Sequence, residues 1–107
     1  MVSDGLAAEL TEVKQRNPQH YGYLNLYWQD AKQGLDNTKK NYACVKDIFD
    51  NIADPKTTTQ GLGQTLSLLT ELDVLSVHSN RSNAIIYDLT TYRPDRLTEV
   101  GKFLNDE

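Results

Sequence analysis

Apolar residues recur with helical spacing in several separate segments of the chain. In the first segment, from about Ser3 to Arg16, Leu6, Leu10 and Val13 follow one another at intervals of four and three. These intervals place the three side chains on one face of a helix. Asn17-Pro18 ends the segment, because the residue before a proline disfavours helical backbone. The stripe is narrow, so this helix needs a partner surface in its own domain or on a second subunit.

The second segment predicts a helix over residues 21–33, with Gly34 as its C-terminal stop. The residues that share its apolar face are Leu24, Tyr27, Ala31 and Leu35. The segment is also the aromatic-rich part of the chain, with Tyr21, Tyr23, Tyr27 and Trp28. Aromatic residues at helical spacing favour a core or interface role, and a stacking platform or ligand pocket is the less favoured alternative.

The third and fourth segments predict helices over residues 38–51 and 58–72. The apolar stripe of the third consists of Tyr42, Val45, Ile48, Phe49 and Ile52. The stripe of the fourth is built on Leu62, Leu66, Leu69 and Leu72, and Thr58 offers an N-cap. Gly61 and Gly63 lie in the first turns of the fourth helix, where glycine is unfavourable. A bare backbone there suits close approach to a neighbouring helix or to a phosphate.

A hairpin and a last helix follow. Residues 74–78 and 84–90 have the composition of strands, and the polar residues 79–83 between them favour a turn. Arg93-Pro94 then begins a C-terminal helix of about ten residues, since proline suits the first helical position. The predicted fold class is therefore mainly α with a small β-hairpin, that is, α+β.

Composition narrows the possible functions. The 107 residues suit a single domain, and the net charge of −4 argues against a purely electrostatic nucleic-acid binder without excluding a local basic patch. The single Cys44 excludes an internal disulfide framework. We expect Cys44 to be a small buried hydrophobe, with a redox switch as the alternative. No nucleotide-binding loop, nucleophile motif or metal-ligand spacing is present, so we expect no catalysis, metal or cofactor.

The N-terminal residues lack the apolar run of a signal peptide, and no segment has the length of apolar sequence that a membrane span requires. A cytoplasmic location, with no membrane contact, is the expectation that these two observations favour.

Three stretches resemble prokaryotic winged helix–turn–helix regulators. They are Thr58 to Leu75 with its leucine repeat, the Ile86-Tyr87-Asp88-Leu89-Thr90 segment, and the tail Arg96 to Gly101. The resemblance extends from about Asn37 to Leu104, and PadR-like regulators of archaea come nearest in layout. It implies one winged-helix domain over residues 1–107, with an N-terminal helix within 1–17, a core over 21–92 and a C-terminal helix within 93–107.

The resemblance further implies sequence-specific binding to double-stranded DNA and a role in transcription regulation. Helix 58–72 would enter the major groove, and the wing, residues 79–83, would lie near the minor groove. Their own chemistry makes these residues candidates for DNA contact: Lys39, Lys40, Lys56, Thr57, Thr58, Thr59, Gln60, Gln64, Ser67, Asn80, Arg81 and Ser82. Glutamine pairs with adenine, and hydroxyls at a helix N-terminus bind phosphate. The alternatives are a simple helix cap at the threonines, a solvated face at the lysines and an ordinary polar turn at Arg81.

A homodimer is expected, since two-fold pairing matches a palindromic operator. The apolar stripes of the two terminal helices lie outside the minimal winged-helix core, which makes them candidates for the dimer interface: Leu6, Leu10, Val13, Leu97, Val100 and Leu104. The alternative function is a winged helix that binds proteins and not DNA, which the negative net charge favours.

Overall fold

A computed structural model describes residues 4–81 and 84–105, with the side chains of residues 5–80 and 85–105. The elements follow in the order α1 (Asp4–Arg16), α2 (Pro18–Asn37), β1 (Tyr42–Ala43), α3 (Val45–Phe49), α4 (Thr59–Glu71), β2 (Ser76–Arg81), β3 (Ala84–Asp88) and α5 (Pro94–Asn105). A single 3₁₀ turn, Leu89–Thr91, precedes α5. The described chain is mainly helical with a small antiparallel sheet, which confirms the α+β class.

The helix α2 is longer at both ends than the predicted span of residues 21–33. It begins at Pro18. Asn17 is its N-cap, and the Asn17 side chain accepts a hydrogen bond from the His20 N–H at 3.4 Å. The helix continues through Gly34, so the predicted stop at this glycine is wrong. A Cβ on Gly34 would lie 2.7 Å from Cγ2 of Ile48. The glycine therefore allows α3 to pack closely against α2 and does not end the helix.

The prediction of one helix over residues 38–51 is also wrong. Tyr42 and Ala43 form β1, in which Ala43 is paired with Tyr87 of β3. Cys44 then provides the N-cap position of the short helix α3, and its N–H donates to Oδ2 of Asp47 at 3.3 Å. Tyr42, which the predicted stripe placed on a buried face, is 47% exposed. Pairing with a distant strand has overridden the local helical pattern.

The predicted start of α4 is confirmed. Oγ1 of Thr58 accepts a hydrogen bond from the Gly61 N–H at 3.1 Å, as an N-cap side chain does. The predicted start of α5 at Pro94 is confirmed as well.

The hairpin strands are displaced from their predicted bounds. The predicted first strand, residues 74–78, begins only at Ser76 and continues to Arg81, while β3 ends at Asp88. Residues 79–81 of the predicted turn are therefore strand, and residues 82–83 lie outside the described part. The sheet order is β1-β3-β2, and the β2–β3 pairing is irregular between Val77 and Ser79. The expected two-stranded hairpin is thus the larger part of a three-stranded sheet.

The core joins both terminal helices to α2 and α4. Every residue predicted to form a dimer interface lies in this core, with exposures of 1% for Leu6, 0% for Leu10, 3% for Val13, 0% for Leu97, 0% for Val100 and 5% for Leu104. That prediction is wrong for the chain as folded, because these side chains are already covered by neighbouring elements of the same molecule. Arg96 of α5 adds a polar link, since its Nη2 lies 3.0 Å from Oε2 of Glu9 in α1.

Candidate functional site

The outward face of α4 carries four of the twelve predicted contact residues. Gly61, Leu62, Thr65, Leu66, Leu68 and Leu69 point into the core. The opposite face presents Thr59, Gln60 and Ser67, which are exposed, and Gln64, which is half-buried. Helical spacing explains the separation, because residues three and four apart share a face. The structure thus brings four of the predicted residues together on one surface.

The threonines before α4 have different roles from one another. Thr57 is 5% exposed, and its N–H donates to Oδ2 of Asp30 at 3.0 Å. Its burial makes the predicted DNA contact by Thr57 wrong. Thr58 is exposed but acts as the cap of α4, whereas Thr59 is exposed on the first turn.

Asp30 positions the segment that leads into α4, a role that sequence reasoning missed. Its Oδ2 accepts from the N–H groups of both Lys56 and Thr57, at 2.8 and 3.0 Å. These partners are 26 and 27 residues away along the chain, so no local pattern indicates the contact.

Packing accounts for one of the two glycines in the first turns of α4. A Cβ on Gly61 would lie 2.6 Å from Oγ1 of Thr57, so the bare backbone accommodates the segment before the helix. At Gly63 a Cβ would meet Cγ2 of Val45 at an ordinary 3.7 Å, and no close approach requires this glycine.

The three predicted lysines are exposed, and carboxylates accompany two of them, Lys39 and Lys40. Nζ of Lys40 lies 3.4 Å from Oδ2 of Asp47, and Lys39 borders the same shallow depression as Asp47 and Asp50. The hydrogen bond from the Cys44 N–H, aided by Lys40, holds the pKa of Asp47 below its usual value. Local charge is therefore balanced around Lys39 and Lys40, which does not favour a strong basic patch there.

Of the three hairpin residues predicted to contact DNA, the structure describes the side chain of Asn80. Asn80 is exposed on β2, opposite Ile85 of β3. The side chain of Arg81 and the whole of Ser82 lie outside the described residues. The ring of His78 in β2 contacts the ring of Tyr42 in β1 in a tilted arrangement, with centroids 4.2 Å apart, and sequence reasoning did not anticipate this contact.

A cavity of about 820 Å³ lies between α3, α4 and β3. Its apolar walls include Val45 and Phe49 from α3, and Ile85 and Tyr87 from β3. The helix α4 contributes Thr59, Gln60, Gly63, Gln64 and Ser67 to its lining, and His20 of α2 borders it as well. Sequence reasoning missed this cavity, because it placed residues 38–51 in a single long helix.

Two groups in the cavity wall have unusual surroundings. Oε1 of Gln64 is buried, and no donor within the described part of the chain reaches it. Burial also raises the pKa of Tyr87 above its usual value. Cys44, expected to be a buried hydrophobe within a helix, lies instead at the N-cap of α3 and is a half-buried thiol in the cavity wall.

Comparisons of the chain with family models, with curated proteins and with solved structures find no match. Across residues 4–81 and 84–105, no helix combines the length and the apolar character needed to cross a membrane. The function must therefore be inferred from the order of the elements and the chemistry of the α4 face.

Proposed function

We propose that the chain is a winged helix–turn–helix domain that binds double-stranded DNA and regulates transcription by binding, without catalysis. The element order from α2 to β3 supports this proposal. A helix, a short strand, two further helices and a hairpin follow one another, and β1 joins the outer edge of β3. This is the order expected when a recognition helix is followed directly by a wing.

The polar outward face of α4 supports its role as the recognition helix. Gln60 is exposed in its first turn, and a glutamine can form two hydrogen bonds with adenine in the major groove. Thr59 and Ser67 add hydroxyls suited to bases or phosphates. Residues 57–70 carry no charged side chain, so this helix surface does not itself repel the DNA backbone.

Charge determines the kind of DNA binding that we expect. The net charge is −4, and carboxylates accompany Lys39 and Lys40. In a plot of the logarithm of the binding constant against the logarithm of the salt concentration, each phosphate contact makes the slope steeper by roughly one. We therefore propose a small number of phosphate contacts, a shallow salt dependence and affinity that depends mainly on base contacts by α4. Asn80 and the rest of the wing, residues 79–83, would lie near the minor groove.

Selection from mixed genomic fragments tests the proposal. Fragments retained by the wild-type protein are titrated with Gln60→Ala and with Gln33→Ala, a matched control from the exposed surface of α2. We expect Gln60→Ala to weaken binding by about tenfold, since a bidentate base contact contributes roughly 1–3 kcal/mol, and Gln33→Ala to leave it unchanged. Failure of the folded protein to retain any fragment at low salt would contradict the proposal, as would equal losses for both variants.

A second candidate function is binding of another protein, without DNA. The apolar walls of the cavity, formed by Val45, Phe49 and Ile85, favour it over the DNA proposal in one respect, because DNA offers little apolar surface. Under this alternative, the Gln60→Ala and wild-type proteins both fail to retain DNA while remaining folded.

Homodimerisation and a cytoplasmic location remain part of the proposal. A second copy must bind a surface other than the apolar stripes of α1 and α5, because those side chains are buried in the core. Leu26 of α2, at 69% exposure, offers apolar area outside the core. Sedimentation of the wild-type protein beside Leu26→Asp tests this surface, and an unchanged mass for the variant would exclude Leu26 from the interface.

A further inference from the structure

We propose that the cavity between α3, α4 and β3 binds a neutral small molecule that has an apolar body and a hydrogen-bond donor. We further propose that this molecule excludes DNA from α4. The binding site stands on the cavity alone, whereas the exclusion of DNA rests on the proposed function.

The size and the walls of the cavity favour a small organic molecule. Its volume of about 820 Å³ lies within the range that ligand pockets usually occupy. Val45, Phe49 and Ile85 are only partly buried, so their apolar surface meets water when the cavity holds no ligand. Covering that surface with an apolar molecule is favourable, because it removes apolar area from water.

The charges around the cavity favour a neutral ligand. Lys46 and Asp50, both exposed on or beside α3, line the cavity with opposite charges. Neither sign predominates, so the cavity does not select an anion or a cation by its field. His20 of α2 also lines the cavity and offers one further hydrogen-bonding group.

Gln64 supplies the reason to expect a donor on the ligand. A buried acceptor without a partner carries a desolvation penalty, and Oε1 of Gln64 is buried with no donor among residues 4–81 and 84–105. The terminal torsion of glutamine is soft, so its amide can turn toward the cavity. In that orientation, a hydroxyl or N–H of a bound molecule would donate to this oxygen.

Competition with DNA follows from shared residues. Gln60, Gln64 and Ser67 line the cavity and also form the outward face of α4. A molecule seated against them occupies the space that base edges need if α4 reads the major groove. Linkage between the two binding equilibria is reciprocal. DNA must therefore lower the affinity for the ligand by the same factor by which the ligand lowers the affinity for DNA.

Two probes that differ in one donor test the site. 2-Naphthol carries a hydroxyl donor, whereas 2-methoxynaphthalene has the same ring system without it. We expect calorimetry to show that 2-naphthol binds about fivefold to tenfold tighter, in line with one added hydrogen bond. The single thiol, Cys44, lies in the cavity wall, so 2-naphthol should also slow its reaction with a disulfide reagent. No binding of either probe up to its solubility limit would overturn the proposal.

Variants at two neighbouring positions locate the bound probe. Gly63→Leu places a side chain toward Val45 and should abolish binding, whereas Gly63→Ala, in ordinary contact, should retain it. Gln64→Met keeps the length of the side chain without the amide and should make the two probes bind equally. Unchanged affinity in Gly63→Leu, a persistent preference in Gln64→Met, or an unprotected Cys44 would each place the probe elsewhere and refute the site.

The DNA arm separates the two parts of the proposal. Saturating 2-naphthol should release a selected DNA fragment from the wild-type protein, and 2-methoxynaphthalene at the same concentration should release less. If the probe binds and DNA affinity is unchanged, the competition is wrong. If the protein retains no DNA in any condition but the probe results hold, the proposed function fails while the ligand site remains.

Discussion

The indole ring of Trp28 in α2 lies directly against the backbone of Gly101 in α5. A Cβ on Gly101 would come within 2.6 Å of Cζ2 of this ring. Trp28 thus fixes the distance between two helices, which supports the structural interpretation of the aromatic segment over a stacking platform. Tyr23 and Tyr27 of the same helix stack on each other, with centroids 6.1 Å apart.

Gly101→Ala should destabilise the protein by about 1–3 kcal/mol, because overpacking against the ring outweighs the better helix propensity of alanine. Gly63→Ala is the matched control in α4, where the added Cβ meets Val45 at 3.7 Å. It should stabilise the protein by about 0.5–1 kcal/mol. Urea unfolding measures both changes. Shifts of the two midpoints in the same direction would contradict this account of the glycines.

Leu10→Ala should cost about 2–5 kcal/mol, since the side chain is 0% exposed and its removal leaves a cavity. Gln15→Ala, at an exposed position of the same helix, should change the free energy of unfolding by less than about 0.5 kcal/mol. Chemical denaturation distinguishes them. Similar small effects at both positions would mean that α1 packs elsewhere, for instance on a second copy.

Asp30→Ala should destabilise the protein by about 1–3 kcal/mol, because the buried Thr57 N–H loses its acceptor. The amides of Lys56 and Thr57 should also exchange faster with deuterium. Gln29→Ala, at the exposed neighbouring position, is the control and should leave both amides protected. Protection that survives in Asp30→Ala would show that another group holds this segment.

Stability should fall as the pH rises above about 10, the ordinary pKa of tyrosine. Burial, together with the hydrogen bond that Tyr92 Oη donates to Oδ1 of Asp36 at 2.6 Å, raises the pKa of Tyr92 far above that value. The stabilising effect of Tyr92 is therefore complete below about pH 10. It is lost in alkali, because the Tyr92 hydroxyl ionises at a lower pH in the unfolded chain than in the folded protein. Tyr92→Phe should lose less stability than wild type between about pH 8 and pH 10.5.

Urea midpoints at these pH values provide the measurement, with Tyr42→Phe, at an exposed tyrosine, as the control. A residual alkaline slope is expected in Tyr92→Phe, because burial raises the pKa of Tyr87 as well. Identical slopes for the wild-type and Tyr92→Phe proteins would rule out the contribution of Tyr92.

Local signals predicted the elements whose ends are determined locally. The spacing of Leu6, Leu10 and Val13 indicated α1, and the cap at Thr58 and the proline at Pro94 marked the starts of α4 and α5. Each of these signals acts within one or two helical turns. The exposed residues of α4 were predicted for the same reason, since helical spacing alone assigns a residue to a face.

Contacts between distant segments account for the errors. β1 exists because Tyr42 and Ala43 pair with β3, more than forty residues later, and neither residue signals this locally. From the sequence, Gly34 resembles a helix stop. Its actual role, which is to allow the close packing of α3, depends on the position of Ile48 in the folded chain. The cavity likewise requires α3, α4 and β3 to be placed together, and the burial of Thr57 depends on Asp30 in another helix.

The link from Glu9 to Arg96 joins positions 87 residues apart. During synthesis on a ribosome, the Arg96 end of this contact emerges long after the Glu9 end, so α1 has no α5 to pack against until residues 94–105 have emerged. Closing so long a loop also carries an entropic penalty that later contacts must offset. We therefore expect the contacts between α1 and α5 to form only after synthesis has passed α5, whereas α1 packs against α2 earlier.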